Sequence, residues 1–314
     1  MEALAFRAAS VAPQRGEKSL GTRLADNIVT GGERRTAQRA RPFLKWAGGK
    51  GQLVAEIARR LPPPDTLVRY VEPFVGGGAV FFWMRENHPS LRCRIADRNV
   101  PLVDTYLAVR DAVEELITAL RPHAEKHSSN HYYAVRRLQP TDPVERAARF
   151  IYLNRTCYNG LWRVNRGGNF NVPLGRYQNP RIIDEENLRR ASQALQGVEV
   201  LCLDFEEAVR DLGSGDLVYF DPPYQPLSQT SCFTAYTSNG FDGEDQERLA
   251  RVFQRLRSQG AFAILSNSDA EPVRRLYQDL LPRPVLNRVR VPRAINSKGR
   301  GRGAINELLI CSAR

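Results

Sequence analysis

Short apolar runs bounded by turn residues alternate along this chain with stretches whose apolar positions recur every three to four residues. Strands and helices in alternation produce that pattern. Strands are predicted at 67–71, 92–96, 198–203, 217–220, 261–265, 285–291 and 306–310. Helical periodicity occupies 102–121 and 143–153, the second through Val144, Ala147, Ala148 and Ile151, and further helices are expected at 52–60, 184–196, 244–259 and 271–281. Strand–helix alternation implies an α/β fold around a mostly parallel sheet. The last two strands read as a terminal antiparallel hairpin. The strand signals fall in 66–100 and 197–314, with a helical stretch between them. This division predicts an extension over 1–40, a first sheet segment over 41–101, an inserted helical unit over 102–196 and a second sheet segment over 197–314.

The ends of several predicted strands carry chemistry. The run Leu217-Val218-Tyr219-Phe220 leads into Asp221-Pro222-Pro223-Tyr224. Two prolines stiffen that turn and remove two backbone donors, so its outward groups are mainly acceptors. Asp221 and the Pro222 carbonyl could accept from an exocyclic amine while Tyr224 stacks on the ring that carries it. An Asp-Pro turn with a packed tyrosine is the plain structural alternative. The 67–71 strand runs into Glu72-Pro73-Phe74-Val75-Gly76-Gly77-Gly78, where glycines let a cofactor approach the backbone. Asp97 follows about twenty-five residues later, after a second strand, where an acid can bind ribose hydroxyls. Gly48-Gly49-Lys50 before a helix suits an anion such as a carboxylate. It is not a P-loop, because Gly51 stands where that motif needs Ser or Thr. The segment Asn165 to Asn169 encloses a Gly-Gly turn between alternating residues and reads as a β-hairpin.

Charge sharpens this picture. The chain of 314 residues carries a formal net charge of +12. Residues 132–181 hold nine Arg and two acids together with eight aromatics, and 287–303 hold six basic residues and no acid. Those two segments account for the whole excess, which points to a polyanionic partner. A basic, aromatic hairpin after a helical bundle suits a major groove. An ordinary surface hairpin and a membrane surface are the competing readings. The five cysteines are odd in number and scattered, as expected of reduced thiols in a cytosolic protein. His123, His127 and His131 recur at four-residue spacing without a further ligand set, and are expected to form a solvated helical face, not a metal site. No apolar run approaches the ~18–20 residues of a membrane span. Residues 1–40 have weak periodicity and a mildly basic balance, and are expected to be disordered.

Taken together, the motifs F-L-K-W-A-G-G-K, V-E-P-F-V-G-G-G, Y-N-G-L-x-R…F-N-V-P-x-G-R-Y, D-F-E-E, D-P-P-Y and R-A-I-N-S-K-G occur in the order found in Dam-type (GATC-recognising) DNA N6-adenine methyltransferases of the alpha class. The chain resembles that family from about Phe43 to Ile310. The resemblance implies a Rossmann-like S-adenosylmethionine-dependent methyltransferase sheet with an inserted helical DNA-recognition domain carrying the hairpin. It implies that Trp46, Ala47 and Lys50 sit at the methionine end of the cofactor, with Glu72, Phe74 and Gly76 as floor. Asp97 would take the ribose, Asp204 and Phe205 the cofactor's adenine, and Asp221 would border both cofactor and target. Asp221, Pro222 and Tyr224 become the catalytic set. In double-stranded DNA, Tyr158 and Asn159 would enter near the target. Leu161, Arg163 and Pro173 would read the outer half of the site, and Lys45 and Tyr177 the first guanine, with Arg176 beside them. Gln178 departs from the pattern, where relatives often have Lys. The resemblance implies no metal, no membrane, no obligate protein partner and a cytoplasmic setting. An inactive DNA-binding protein on the same scaffold, or a methyltransferase for another site or base, are the alternatives.

Overall fold

The two central strands are buried on both faces, which explains their nearly continuous apolar sequences. In β4 (Asp216–Phe220) all five residues are buried. The alternation of side chains divides the strands between two cores. Tyr70, Leu217, Tyr219, Ile264 and Leu309 pack on one face. Val71, Val218, Phe220, Leu265 and Leu308 pack on the other. The structure, a computed structural model, describes residues 39–46, 48–224, 241–292 and 304–312. The sheet and the described helices lie within residues 40–314, which form one compact unit.

The sheet has seven strands in the order β3-β2-β1-β4-β5-β7-β6. They are β1 (Arg69–Glu72), β2 (Arg92–Ala96), β3 (Glu199–Leu201), β4, β5 (Phe262–Ser268), β6 (Val285–Pro292) and β7 (Ala304–Cys311). The first five in that order run parallel. β7 then pairs antiparallel with both β5 and β6, the terminal hairpin expected from the sequence. Strand order reverses between β1 and β4, and in open α/β sheets ligands bind at the carboxyl ends of strands at such a switch point. Glu72 ends β1 and Asp221 follows β4, so the two richest sequence motifs meet there.

Ten α-helices accompany the sheet among the described residues: α1 (Val54–Ala58), α2 (Ala79–Asn87), α3 (Val100–Asp111), α4 (Val113–Glu125), α5 (Ser129–Arg137), α6 (Pro143–Thr156), α7 (Glu185–Leu195), α8 (Phe205–Ala208), α9 (Gly243–Ser258) and α10 (Glu271–Gln278). The helical stretch between β2 and β3 therefore resolves into α3 to α7. Three of its helix starts are capped by side chains: Ser128 for α5, Asp142 for α6 and Asp184 for α7. α6 is the central member, packing on α3, α4 and α5. The helix expected over 52–60 is shorter, a 3₁₀ turn at Lys50–Gln52 followed by α1, because Pro62, Pro63 and Pro64 stop it.

The predicted hairpin is present as a tight reversal closed by the antiparallel bridge of Val164 with Phe170, while one expectation, the histidine face, needs correction. Asn165 holds the turn by accepting from the N–H groups of Gly167 and Asn169, both at 3.0 Å. Its second leg gives the Val172 carbonyl to the Tyr132 hydroxyl at 2.9 Å, so that group is not available to a partner strand. The histidines do not form one solvated face. His123 lies on α4, His127 between helices and His131 on α5, all half-buried around Tyr152. His123 stacks on the Tyr152 ring with centroids 5.1 Å apart, and His127 Nδ1 lies 2.9 Å from the Tyr152 hydroxyl. The extension over 1–40, the polar loop 225–243 and the basic loop 292–303 lie largely outside the described residues, as does Ala47.

Candidate active site and nucleic-acid interface

The turn after β4 is fixed from several directions. Lys50 Nζ lies 3.1 Å from Asp221 Oδ1, and the Ser266 hydroxyl donates to the same oxygen at 2.9 Å. Ser266 stands 3.0 Å from the Tyr219 hydroxyl, so β4 and β5 are tied together beneath the turn. Lys50 also donates to the Gly48 carbonyl and sits over the Tyr224 ring, 4.4 Å from its centroid. Gln246 from α9 donates to the Pro223 carbonyl at 3.2 Å and is itself held by Asn267. Tyr224 donates its hydroxyl to Glu307 Oε2 of β7 at 2.7 Å. Burial pushes the Asp221 carboxyl above its usual range, opposed by Lys50 and Ser266. Among the described residues, Asp221 Oδ2 and the Pro222 carbonyl accept no hydrogen bond. Among the described residues these are two open acceptors of a turn whose Asp221 Oδ1, Pro223 carbonyl and Tyr224 hydroxyl are engaged.

The carboxyl ends of β1, β2 and β3 supply a second set of groups. Gly76 adopts φ +48°, and a Cβ there would stand 2.7 Å from Trp46 Nε1. Only glycine admits that close approach of ring and backbone. The Gly76 N–H donates to Asp97 Oδ2 at 3.3 Å and the Asn99 N–H to Oδ1 at 3.0 Å. Burial raises the Asp97 carboxyl to about 6, against the pull of these two donors. Glu72 is buried deeper and accepts from the Tyr70 hydroxyl at 2.7 Å. Desolvation, with the Asp221 charge adding to it, holds the Glu72 carboxyl well above its usual range. Phe74 stacks on Phe205 with centroids 5.3 Å apart. Arg248 from α9 covers Phe205 at 4.2 Å and grips both Asp204 oxygens, at 2.7 and 3.0 Å. Asp204 also caps α8 through the Glu206 N–H. The burial of Asp204 opposes ionisation, but Arg248 prevails and lowers its pKa.

Around α6 the sequence-derived recognition residues gather in two ways. Asn154, fully buried, accepts from the Lys45 N–H at 2.8 Å and donates to the carbonyls of Lys45 at 2.7 Å and Gly160 at 3.3 Å. Lys45 in turn places Nζ 3.5 Å from the Tyr177 ring centroid. Lys45 and Tyr177 are therefore together, as are Tyr158 and Asn159 in the 3₁₀ turn Tyr158–Gly160, where Asn159 takes φ 55°. Tyr158, Arg163, Pro173 and Arg176 are exposed and Leu161 is half-buried. Arg163 donates to Asn171 Oδ1 at 2.7 Å, which orients its guanidinium. The arginine-rich segment is not uniformly available to a partner. Arg149 donates to the Val135 and Arg136 carbonyls, Arg155 to that of Arg181, and Arg146 pairs with Asp104. Arg137, Arg166 and Arg176 are exposed and engage no group among the described residues.

Sequence reasoning missed Asn154, Gln246, Arg248, Ser266 and Glu307. For the last two a signal existed, since polar residues buried inside apolar strands (Ser266-Asn267-Ser268, and Glu307 before Leu308-Leu309-Ile310) need a partner. Gln246 and Arg248 lie on a polar helix and carried none. No helix among the described residues is long and apolar enough to cross a membrane. Nor, among those residues, are three or more His, Cys, Asp or Glu side chains placed to hold a metal ion.

Known proteins resemble this chain over most of its length. The profile described as D12 class N6 adenine-specific DNA methyltransferase matches residues 46–291. Type II methyltransferase M.MjaIII of Methanocaldococcus jannaschii is 42% identical over 287 residues, covering 86% of this chain and 98% of its own. The DNA adenine methylase of Serratia marcescens is 39% identical over 274 residues, covering 86% and 97%. That of Escherichia coli (strain K12) is 39% identical over 273 residues, covering 86% and 94%. With the sheet order, the acceptor pair after β4 and the glycine turn after β1 already in place, these matches make the chain a member of the D12 class of N6 adenine-specific DNA methyltransferases.

Proposed function

We propose that this enzyme methylates adenine N6 in double-stranded DNA at GATC, using S-adenosylmethionine and an adenine turned out of the duplex. The observation that carries the reading is a pair of acceptors, Asp221 Oδ2 and the Pro222 carbonyl, unengaged among the described residues and next to Tyr224 in the turn. An exocyclic amine has two N–H groups for two acceptors. Accepting both draws the nitrogen lone pair out of conjugation with the ring and orients it. A base inside the stack cannot bring N6 to that turn, so it must leave the duplex. Tyr224 then offers a stacking surface. The work of these residues is orientation and stabilisation of charge developing on N6; the amine proton is lost after transfer.

The cofactor's groups find complements in this structure. Trp46 packs directly against the backbone of the glycine turn, Asp97 offers acceptors for ribose hydroxyls, and Phe74 with Phe205 offers an apolar wall for a purine. Lys50 and the glycines before it suit the carboxylate. When bound, S-adenosylmethionine supplies a methyl group already activated on a sulfonium. The GATC reading rests on the match of Lys45, Leu161, Arg163, Pro173 and Tyr177 to the Dam-type pattern, and on the exposure of Arg163, whose guanidinium suits guanine O6 and N7. The exposed Arg137, Arg166 and Arg176 suit phosphates. A cytoplasmic enzyme without an obligate protein partner is the setting this implies.

The test is transfer of labelled methyl to two duplexes that differ only in one GATC, with the product nucleoside identified. N6-methyladenine in the GATC duplex alone is the expected result, and equal labelling of both would overturn the site assignment. Asp221→Ala should abolish transfer while leaving DNA binding largely intact. Activity above a few per cent of wild type would remove Asp221 from the catalytic role.

A further inference from the structure

We propose that Glu307, at the far end of the chain on β7, is a positioning residue for the target adenine, acting through the hydroxyl of Tyr224. The inference rests on the proposed stacking of Tyr224 on the base. Each anchored residue of the turn 221–224 has its own clamp from a separate element: Ser266 of β5 holds Asp221, Gln246 of α9 holds the Pro223 carbonyl, and Glu307 of β7 holds Tyr224. The first two fix backbone and carboxylate. Glu307 fixes a ring.

The geometry explains why a ring needs such a clamp. A tyrosine at the end of a turn can swing about χ1 and χ2, and χ2 is a broad torsion for aromatic rings. Here the ring is defined at two places. Lys50 Nζ sits over one face at 4.4 Å, and the hydroxyl at the tip is bound to Glu307 Oε2 at 2.7 Å. With its tip and one face held, the ring is fixed as a surface on which a base can stack. Glu307 is itself immobile, because it lies within β7, paired with Ser268 of β5 and Val289 of β6, and is 8% exposed. A carboxylate buried to that degree is costly without a donor, and Tyr224 is the hydrogen-bond donor it has among the described residues. Burial, followed by the charges of Asp221 and Glu307, keeps the Tyr224 phenol well above its usual pKa, so it remains a donor throughout the working range. A hydrogen bond to an ionised acceptor is shorter and stronger than a neutral one, which suits a clamp that must withstand the arrival of a base.

A purely structural role, fastening β7 to the sheet, would look the same in a stability measurement. The experiment therefore compares methyl transfer at saturating DNA and cofactor with KM for DNA and with cofactor binding, in Glu307→Gln, Glu307→Leu, Tyr224→Phe, Tyr224→Ala and the double variant Tyr224→Phe/Glu307→Leu. Glu307→Gln keeps an acceptor at the same place and should stay within a few-fold of wild-type kcat. Glu307→Leu should lower kcat by roughly 10- to 100-fold, the scale of a small misplacement of a reacting group, with KM and cofactor affinity nearly unchanged. Tyr224→Phe removes the same bond from the other side without touching β7, and should show a similar loss even if Glu307→Leu fails to fold. The double variant should be no slower than Tyr224→Phe alone, since both changes delete one interaction. Losses that multiply in the double variant would overturn the proposal, as would wild-type kcat in Tyr224→Phe. Tyr224→Ala separates the two readings. If it is inactive while Tyr224→Phe and Glu307→Leu behave as wild type, stacking stands and the Glu307 clamp falls; if it retains wild-type kcat, stacking falls and the clamp with it.

Discussion

Replacing Asn154 by Ala should cost the fold about 3–4 kcal/mol, although Asn154 touches neither the acceptor turn nor the glycine turn. Its side chain joins two segments 109 residues apart in sequence, accepting from the Lys45 N–H and donating to the Lys45 carbonyl, and it reaches the Gly160 carbonyl as well. Alanine leaves three backbone groups without their partner. A buried polar group left unsatisfied costs about 1–3 kcal/mol, and water can relieve part of this because Lys45 is only half-buried. The segments cannot close over the gap, since a Cβ at Gly160 would already stand 2.6 Å from Lys45 Cβ. Against a total stability on the order of 5–15 kcal/mol the loss is large. Urea unfolding should show the midpoint moved with the slope m unchanged. Asn154→Asp should fare no better, because a carboxylate would face two carbonyls. The same variants should discriminate less well between cognate and altered duplexes, since Lys45 and its contact with Tyr177 lose their support. A shift below about 1 kcal/mol in Asn154→Ala would refute the reasoning, because the orphaned groups could not then be worth their usual cost.

Four further outcomes follow from the charges. Burial lifts Asp97 to about 6, and only the ionised carboxylate offers all its lone pairs to ribose hydroxyls. Cofactor affinity should therefore fall as pH drops through about 6, and Asp97→Asn should bind more weakly with a flat profile; calorimetry from pH 5 to 8 checks both. His123 is held down to about 4 by burial, with His131 and Lys126 adding to it. The unfolded chain takes up that proton near 6.5, so stability is fully present above 6.5 and declines as pH falls towards 4. His123→Gln should flatten the decline in melting temperature over that range. Arg163→Ala should relax discrimination at one base pair by about 1–3 kcal/mol. Arg176→Ala should weaken binding to all duplexes alike and reduce the salt slope by about one.

The strands and their chemistry were legible because both are local. A run such as Leu217-Val218-Tyr219-Phe220 states its burial in its own composition, and the turn after it states its acceptors through two prolines. The parallel arrangement then brings Glu72, Asp97, Asp204 and Asp221 to one edge of the sheet, since parallel strands share the direction of their carboxyl ends. What sequence reading lost were features whose meaning depends on a distant partner. The histidine spacing suggested one helical face, but the chain breaks between α4 and α5 and Tyr152 of α6 supplies the centre around which the rings pack. The arginine count pointed to a polyanionic partner but not to which arginines could meet it: Arg149 and Arg155 are committed to backbone carbonyls, and burial disfavours their charge.

The same distinction orders the active site itself. Groups proposed to meet the base or the cofactor sit in short motifs, where one turn places two or three of them at once. The groups that hold those motifs still come singly from elsewhere: Ser266 from 45 residues away, Gln246 from 23 and Glu307 from 83. Each needs only one polar atom at one place, so its sequence surroundings can be an apolar strand or an ordinary helix. A buried polar residue in such surroundings has to be satisfied somewhere. In β5 and β7 that requirement is met at the turn bearing Asp221 and Tyr224, so under the proposed clamp the strands that complete the sheet also set the precision of the site.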